Sequence, residues 1–156
     1  MKATVLLPTT AGRGALIRYS AGSVLRQTIR DLELFIVGDG VDEETRIVAR
    51  ELCEHDSRVR FVDRPKHARR GETYRHELLT SEASGDIVCY LCDRDLMLSN
   101  HVAESLRNLE SYDFSGTGIY MMQVDGSIKA ATINLLGEIQ GDDRMRFGQL
   151  SRNAHT

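Results

Sequence analysis

Apolar residues recur along this chain in two alternating spacings. Residues 3–7 (Ala-Thr-Val-Leu-Leu), 32–37 (Leu-Glu-Leu-Phe-Ile-Val) and 86–92 (Asp-Ile-Val-Cys-Tyr-Leu-Cys) are short, mostly apolar runs that read as buried strands. Val59-Arg60-Phe61-Val62 alternates apolar and polar residues, which suits an edge or half-covered strand. Residues 14–28 instead place Leu16, Ile17, Ala21, Val24, Leu25 and Thr28 three and four apart, the stripe of an amphipathic helix. A second helix is predicted over 42–54, opening on Asp42-Glu43-Glu44, acids suited to a helix N-terminus. Asp42 reads as its N-cap or first turn. Two more helices are predicted over 72–84 and 100–110, the latter behind Ser99 as N-cap. Past residue 112 the pattern changes to a hairpin, 117–124 and 127–135, turning at Asp125-Gly126. Strand–helix alternation implies an open, mostly parallel sheet covered by helices.

Composition narrows the class. The 156 residues fit one domain spanning 1–156, with 41% hydrophobic and 28% charged residues, as in ordinary globular proteins. A net charge of −3 gives no general attraction to nucleic acid, so an anionic ligand needs a local arrangement of donors. No run approaches the roughly 20 apolar residues that span a bilayer. The N-terminus lacks the basic and long apolar regions of a signal peptide, so the cytoplasm is the expected location. Cys53, Cys89 and Cys92 form no disulfide framework. Cys89 and Cys92 lie three apart in a strand-like run, facing opposite ways, and read as packing residues rather than zinc ligands.

Ligands of open α/β sheets bind beyond the carboxyl ends of the strands. Three groups fall there: Pro8-Thr9-Thr10-Ala11-Gly12-Arg13-Gly14, Gly38-Asp39-Gly40-Val41-Asp42 and Asp93-Arg94-Asp95. Asp93 and Asp95 can approach one hard cation, with phosphates and water completing its shell. The same pair also reads as a solvated turn. Asp39 stands between glycines that let a ligand come near, and its carboxylate can accept from a base or ribose; a tight turn is the alternative. Arg69, Arg70 and Arg75 offer phosphate-binding guanidiniums, although Arg69 and Arg70 also read as a solvated face. His55, His67, His101 and His155 show no metal-ligand spacing and read as structural.

Taken together these residues resemble glycosyltransferase family 2. Val5-Leu6-Leu7-Pro8-Thr9-Thr10 is similar to the family's opening strand and nucleotide loop, and Ser23-Val24-Leu25-Arg26-Gln27-Thr28 to its S-x-L-x-Q-T helix ending. The stretch from Asp31 to Gly40 resembles its DxELIVVDDGS strand. Gly71 to Arg75, then Ala83-Ser84-Gly85-Asp86-Ile87, resembles its G…ARN…A.GEYI segment, and Asp93-Arg94-Asp95-Leu96-Met97-Leu98 sits where its metal motif belongs. Four positions depart from the pattern: Gly38 and Val41 in the acidic turn, His76 for asparagine, and Arg94 between the acids.

The resemblance implies a GT-A, Rossmann-like fold with helices on both faces of the sheet, and a nucleoside-diphosphate-sugar donor, a UDP-sugar foremost. It implies a Mg²⁺ or Mn²⁺ bridge to the diphosphate and an acceptor saccharide or other hydroxyl that receives the sugar with inversion. It puts Pro8, Thr9, Thr10, Asp39, Arg75 and Asp93 at the nucleotide, and Asp93 and Asp95 at the metal. Relatives take their base from later in the chain; Asp142 and Asp143 are the acids present for that role. A chain this short is expected to be a truncated donor half with little transfer of its own, and two copies could pair to cover an exposed apolar face. The alternatives are a sugar-nucleotide-binding module without catalysis, and a nucleotidyltransferase using Gly12-Arg13-Gly14.

Overall fold

Parallel strands need crossover connections, and helices supply them here. The structure, a computed structural model, describes residues 2–131. It divides after Ser115 into two compact units. The first runs β1 (Ala3–Thr9), α1 (Gly14–Leu25), β2 (Leu32–Asp39), α2 (Glu43–His55), β3 (Val59–Arg64), α3 (Glu72–Ser81), β4 (Ile87–Tyr90) and α4 (His101–Leu109). The second contains β5 (Ile119–Met122) and β6 (Ile128–Ala131), paired antiparallel around the Asp125-Gly126 turn. There the Asp125 carboxylate accepts from the Ser127 N–H at 2.9 Å. Residues 132–135 of the expected hairpin lie outside the described residues.

The first unit's sheet has the order β3-β2-β1-β4, all parallel. From β1 the chain steps outward to β2 and β3, then crosses back over β1 to β4. That reversal between β1 and β4 is the point at which open α/β sheets bind ligands. Successive residues of β1 face opposite sides. Ala3, Val5 and Leu7 meet Ile17, Ala21 and Val24 of α1, Val48 and Ala49 of α2 and Val102 of α4 in one core cluster. Leu6, Phe35 and Val37 on the other side meet Leu78 of α3. Helices therefore cover both faces. Every residue of β2 is buried, as befits a central parallel strand, whereas β3 at the edge is largely open.

Several boundaries differ from the pattern-based reading. The first helix stops at Leu25, Leu16 is 39% exposed and Thr28 is exposed, while Gln27 is fully buried. Periodicity missed Gln27 because its burial depends on partners outside the helix. Asn100, not Ser99, occupies the N-cap of α4 and makes no side-chain cap. The last strand ends at Tyr90, so Cys92 lies past it and is exposed rather than packed; Cys89 is buried as expected.

Glu33 is the unexpected member of the core. It sits 6% exposed at the amino end of β2. Its carboxylate accepts from the Thr4 hydroxyl (2.6 Å), the Ser84 N–H (2.7 Å), the Ser84 hydroxyl (3.0 Å) and Lys2 Nζ (3.0 Å). Gly85 makes this closure possible, since a Cβ there would lie 2.4 Å from the Thr4 nitrogen. Burial alone pushes the carboxyl up, but these donors outweigh it and bring it from 4.5 to about 2. A depressed carboxyl stabilises the fold above its unfolded value and loses that contribution as pH falls through its folded value. Glu33→Gln is therefore expected to lose roughly 3 kcal/mol at pH 7. In urea titrations its gap from wild type should close between pH 4.5 and about 2; a gap independent of pH would contradict the assignment.

Candidate functional site

Strand lengths set the rim. Thr9 at the end of β1 pairs with Gly38, one residue before Asp39 ends β2. Pairing of β1 with β4 stops at Leu6↔Tyr90, so Pro8, which lacks an N–H, stands where β1 has one strand neighbour only. Beyond Tyr90, the Leu91 N–H still donates to the Leu6 carbonyl (3.0 Å), and the chain turns through Cys92-Asp93-Arg94-Asp95. The Asp95 N–H closes that turn on the Cys92 carbonyl at 3.0 Å.

Two adjacent threonines then link the acids on either side. The Thr9 hydroxyl donates to Asp93 Oδ2 at 3.1 Å, and the Thr10 hydroxyl donates to the Asp39 carbonyl oxygen at 3.1 Å. Asp93 is buried and Asp95 is exposed. Arg13 Nε stands 3.4 Å from Asp93 Oδ2. That nitrogen is buried yet has no acceptor in hydrogen-bonding geometry, so charge attraction holds it beside Asp93 with a donor still unused. Such a donor suits an anion. Among the described residues no three His, Cys, Asp or Glu side chains gather around a common point. Two carboxylates are too few to cage a cation, but they fit a hard one whose remaining ligands are phosphate oxygens and water.

Asp39 is 5% exposed and fully partnered at both oxygens. The His67 N–H donates to Oδ1 at 2.6 Å and Lys66 Nζ to Oδ2 at 2.9 Å. Burial pushes its carboxyl up, but Lys66 and the His67 N–H prevail and hold it below the ordinary range. Gly40, at φ +67°, lets Lys66 come this close, since a Cβ there would lie 2.7 Å from the Lys66 Cβ. Asp42 caps α2 through the Thr45 N–H (3.0 Å) and also accepts from the Gly12 N–H (2.8 Å), which ties the β1–α1 turn to the next helix.

The Asp93–Asp95 turn is anchored by the end of α1 and the residues just past it. Ser23 Oγ accepts from the Met97 N–H (3.1 Å), and Gln27 Nε2 donates to the Leu98 carbonyl (2.7 Å). Gln27 Oε1 accepts from the Val102 N–H at 2.9 Å, doing for α4 what Asn100 does not.

Comparisons with known proteins bear on the family and the fold. The family described as Glycosyl transferase family 2 matches residues 4–148. The chain belongs to glycosyl transferase family 2. A curated relative from Campylobacter jejuni, GalNAc(5)-diNAcBac-PP-undecaprenol beta-1,3-glucosyltransferase, is 28% identical over 98 residues, covering 63% of this chain and 31% of the relative. The structure of S. aureus TarS 1-349 superposes with a TM-score of 0.61 at 16% identity, covering 72% of this chain and 33% of that one. The Pyrobaculum calidifontis mannosyltransferase PcManGT gives a TM-score of 0.50 at 22% identity, covering 61% of this chain and 28% of that one. These structural likenesses establish the GT-A fold, and the matched part is about a third of each relative.

In this family 2 chain Pro8, Thr9, Thr10, Asp39, Asp93 and Asp95 lie at the carboxyl ends of neighbouring strands. Arg75 lies on α3, half-buried, its Nη1 donating to the Arg70 carbonyl (2.7 Å). Arg69 is exposed and 3.7 Å from Glu72. Asp142 and Asp143 lie outside the described residues. Sequence reading passed over Lys66 and noticed Arg13 only as part of a glycine pair. Lys66 follows β3, so the same position rule that singled out the groups after the other three parallel strands applies to it. Gln27→Leu keeps the side-chain volume but leaves the Val102 N–H without its partner and the Leu98 carbonyl with the His101 N–H alone. A buried group left unpaired costs about 1–3 kcal/mol, so a loss of that size is expected in urea denaturation. A change under about 0.5 kcal/mol, the usual range of surface substitutions, would show that Gln27 does not anchor the turn.

Proposed function

We propose that this chain is the donor-binding region of an inverting glycosyltransferase that takes a nucleoside-diphosphate sugar, a UDP-sugar foremost, and passes the sugar to an acceptor hydroxyl. The observation that supports this most is the pair of threonines at the end of β1 tying Asp39 on one side and Asp93 on the other, at the reversal point of a parallel sheet, in a chain of family 2. Asp39, Thr10 and Pro8 take the base and ribose side; Thr9 and Asp93 lie next to the ribose and diphosphate. Arg75 is assigned to the diphosphate. Asp95, exposed, is the leading ligand for Mg²⁺ or Mn²⁺, with Asp93 second because Thr9 and Arg13 already occupy one of its oxygens. A divalent cation there would offset the charge that develops on the departing diphosphate.

Related folds support this class of ligand. TarS 1-349 is described in complex with UDP and with UDP-GlcNAc, and PcManGT with GDP-Man and Mn²⁺. Family membership favours sugar transfer over nucleotidyl transfer. Asp142 and Asp143 are this chain's own candidates for the base that takes the acceptor proton. The test is calorimetry with UDP, with Mg²⁺ or Mn²⁺ and then with EDTA. The cation should tighten binding about tenfold or more, the worth of one charge-assisted contact. Asp95→Asn should remove that dependence, whereas Asp39→Asn should weaken binding in both conditions. Equal affinity with and without metal would contradict the bridge.

A further inference from the structure

The outer side of α1 takes no part in the nucleotide reading, and its chemistry is unlike the rest of the chain. Between Ala11 and Arg30 the sequence carries four arginines, Arg13, Arg18, Arg26 and Arg30, and no acid, although the whole chain has a net charge of −3. The inner side of the helix is spent on the core through Ile17, Ala21 and Val24. Ala15, Tyr19, Gly22 and Arg26 follow one another at spacings of four, three and four, so they form a single stripe on the opposite side. Tyr19 stands 67% exposed in that stripe, and Leu16 is exposed beside it.

A second apolar group borders the same helix. Arg13 Nε lies 3.4 Å from Asp93 Oδ2, Ser23 Oγ accepts from the Met97 N–H at 3.1 Å, and the Thr28 N–H donates to the Ser99 carbonyl at 2.8 Å. Residues 93–99 therefore run along one flank of α1 from its start to just past its end. Met97 turns into the core there, while its neighbours Leu96 and Leu98 are 60% and 66% exposed. Leu16, Tyr19, Leu96 and Leu98 thus stand out of two adjoining segments that are pinned together by hydrogen bonds. Large apolar side chains gathered this way mark a contact surface.

The charges decide what it contacts. Arg18 is held by Glu51 at 2.7 Å, whereas Arg26 lies back over Gly22 and has no acidic partner among the described residues. Asp93, the buried acid at the border, has Arg13 beside it. Leucine and tyrosine side chains enter the boundary between lipid headgroups and acyl chains, and arginine lays its stem along apolar surface with its guanidinium among phosphates. Among the described residues no helix is long and apolar enough to cross a membrane, so the contact is of the kind that lies on the surface. We propose that the outer face of α1, with Leu96 and Leu98, is a docking surface for an anionic membrane, and that it holds the Asp93–Asp95 turn against the bilayer.

Sedimentation of the full chain with lipid vesicles tests this without any nucleotide, so its failure leaves the donor reading untouched. Vesicles of phosphatidylcholine mixed with phosphatidylglycerol should carry the chain down, pure phosphatidylcholine should carry far less, and added salt should weaken the binding. An arginine near an anionic surface is worth about fivefold in binding, so Arg26→Gln should lower the partition coefficient by about that factor. Tyr19→Ser/Leu98→Ser, which leaves the charge unchanged, should lower it about tenfold or more. Arg64→Gln, an equal loss of charge at the end of edge strand β3, should stay within about twofold of wild type. No binding to the anionic vesicles overturns the proposal. Binding that ignores the serine variant overturns it as well, since the surface would then attract any polyanion, nucleic acid included. An equal loss in Arg64→Gln would place the contact elsewhere and overturn it too.

Discussion

A carboxylate buried at the end of a strand needs fixed donors aimed at it, and β2 has one such group at each end. At the amino end Glu33 is enclosed by Thr4, Ser84 and Lys2. At the carboxyl end Asp39 is enclosed by Lys66 and the His67 N–H. Both groups demand that neighbouring loops approach β2 closely, and glycines provide the room: Gly85 against Thr4, Gly40 against Lys66. Chain geometry at both ends of the sheet follows from that demand. The two ends nevertheless differ in kind. Donors at Glu33 come from its own strand neighbour, a loop backbone and a lysine near the chain start, which makes a closed lock. Those at Asp39 follow β3 on the carboxyl rim of the sheet, with an exposed lysine among them.

The rim works as a unit because Thr9 and Thr10 are consecutive. Thr9, the last residue of β1, reaches Asp93 after β4, and Thr10, just past the strand, reaches the carbonyl of Asp39 at the end of β2. The sheet order makes this useful, since β1 stands between the two strands. Ser23 and Gln27 extend the same logic to the Asp93–Asp95 turn, holding Met97, Leu98 and Val102 from the last turn of α1 and the residues just past it. Arg13, on the turn between, adds positive charge next to Asp93 and a buried donor without an acceptor.

Much of this was legible in the sequence. Apolar runs gave four strands, and their order with helices between gave the parallel sheet; the position rule for strand ends then collected Thr9, Thr10, Asp39, Asp93 and Asp95. What escaped had one physical cause. Gln27, Glu33 and Lys66 are polar residues whose roles depend on partners tens of residues away, such as Val102, Ser84 and Asp39. Periodicity sorts residues by face and cannot report such pairings. Glu33 therefore passes as one member of a mostly apolar run, and nothing in the pattern singles out Lys66. Cys92 erred the other way: a strand drawn two residues too long made an exposed side chain look packed.

The central claim is that one rim holds both ends of a nucleoside diphosphate, the base near Asp39 and the metal-bridged phosphates near Asp95. Amide resonances of the isotope-labelled chain, followed during titration with UDP and Mg²⁺ and then with trace Mn²⁺, test it directly. UDP with Mg²⁺ should shift Thr9, Thr10, Gly40, His67 and Asp93 together, and paramagnetic Mn²⁺ should broaden Asp93 to Asp95 first while leaving Glu33 and Ser84 sharp. Broadening centred away from Asp95, or shifts gathered at the Glu33 end of the sheet, would contradict the account.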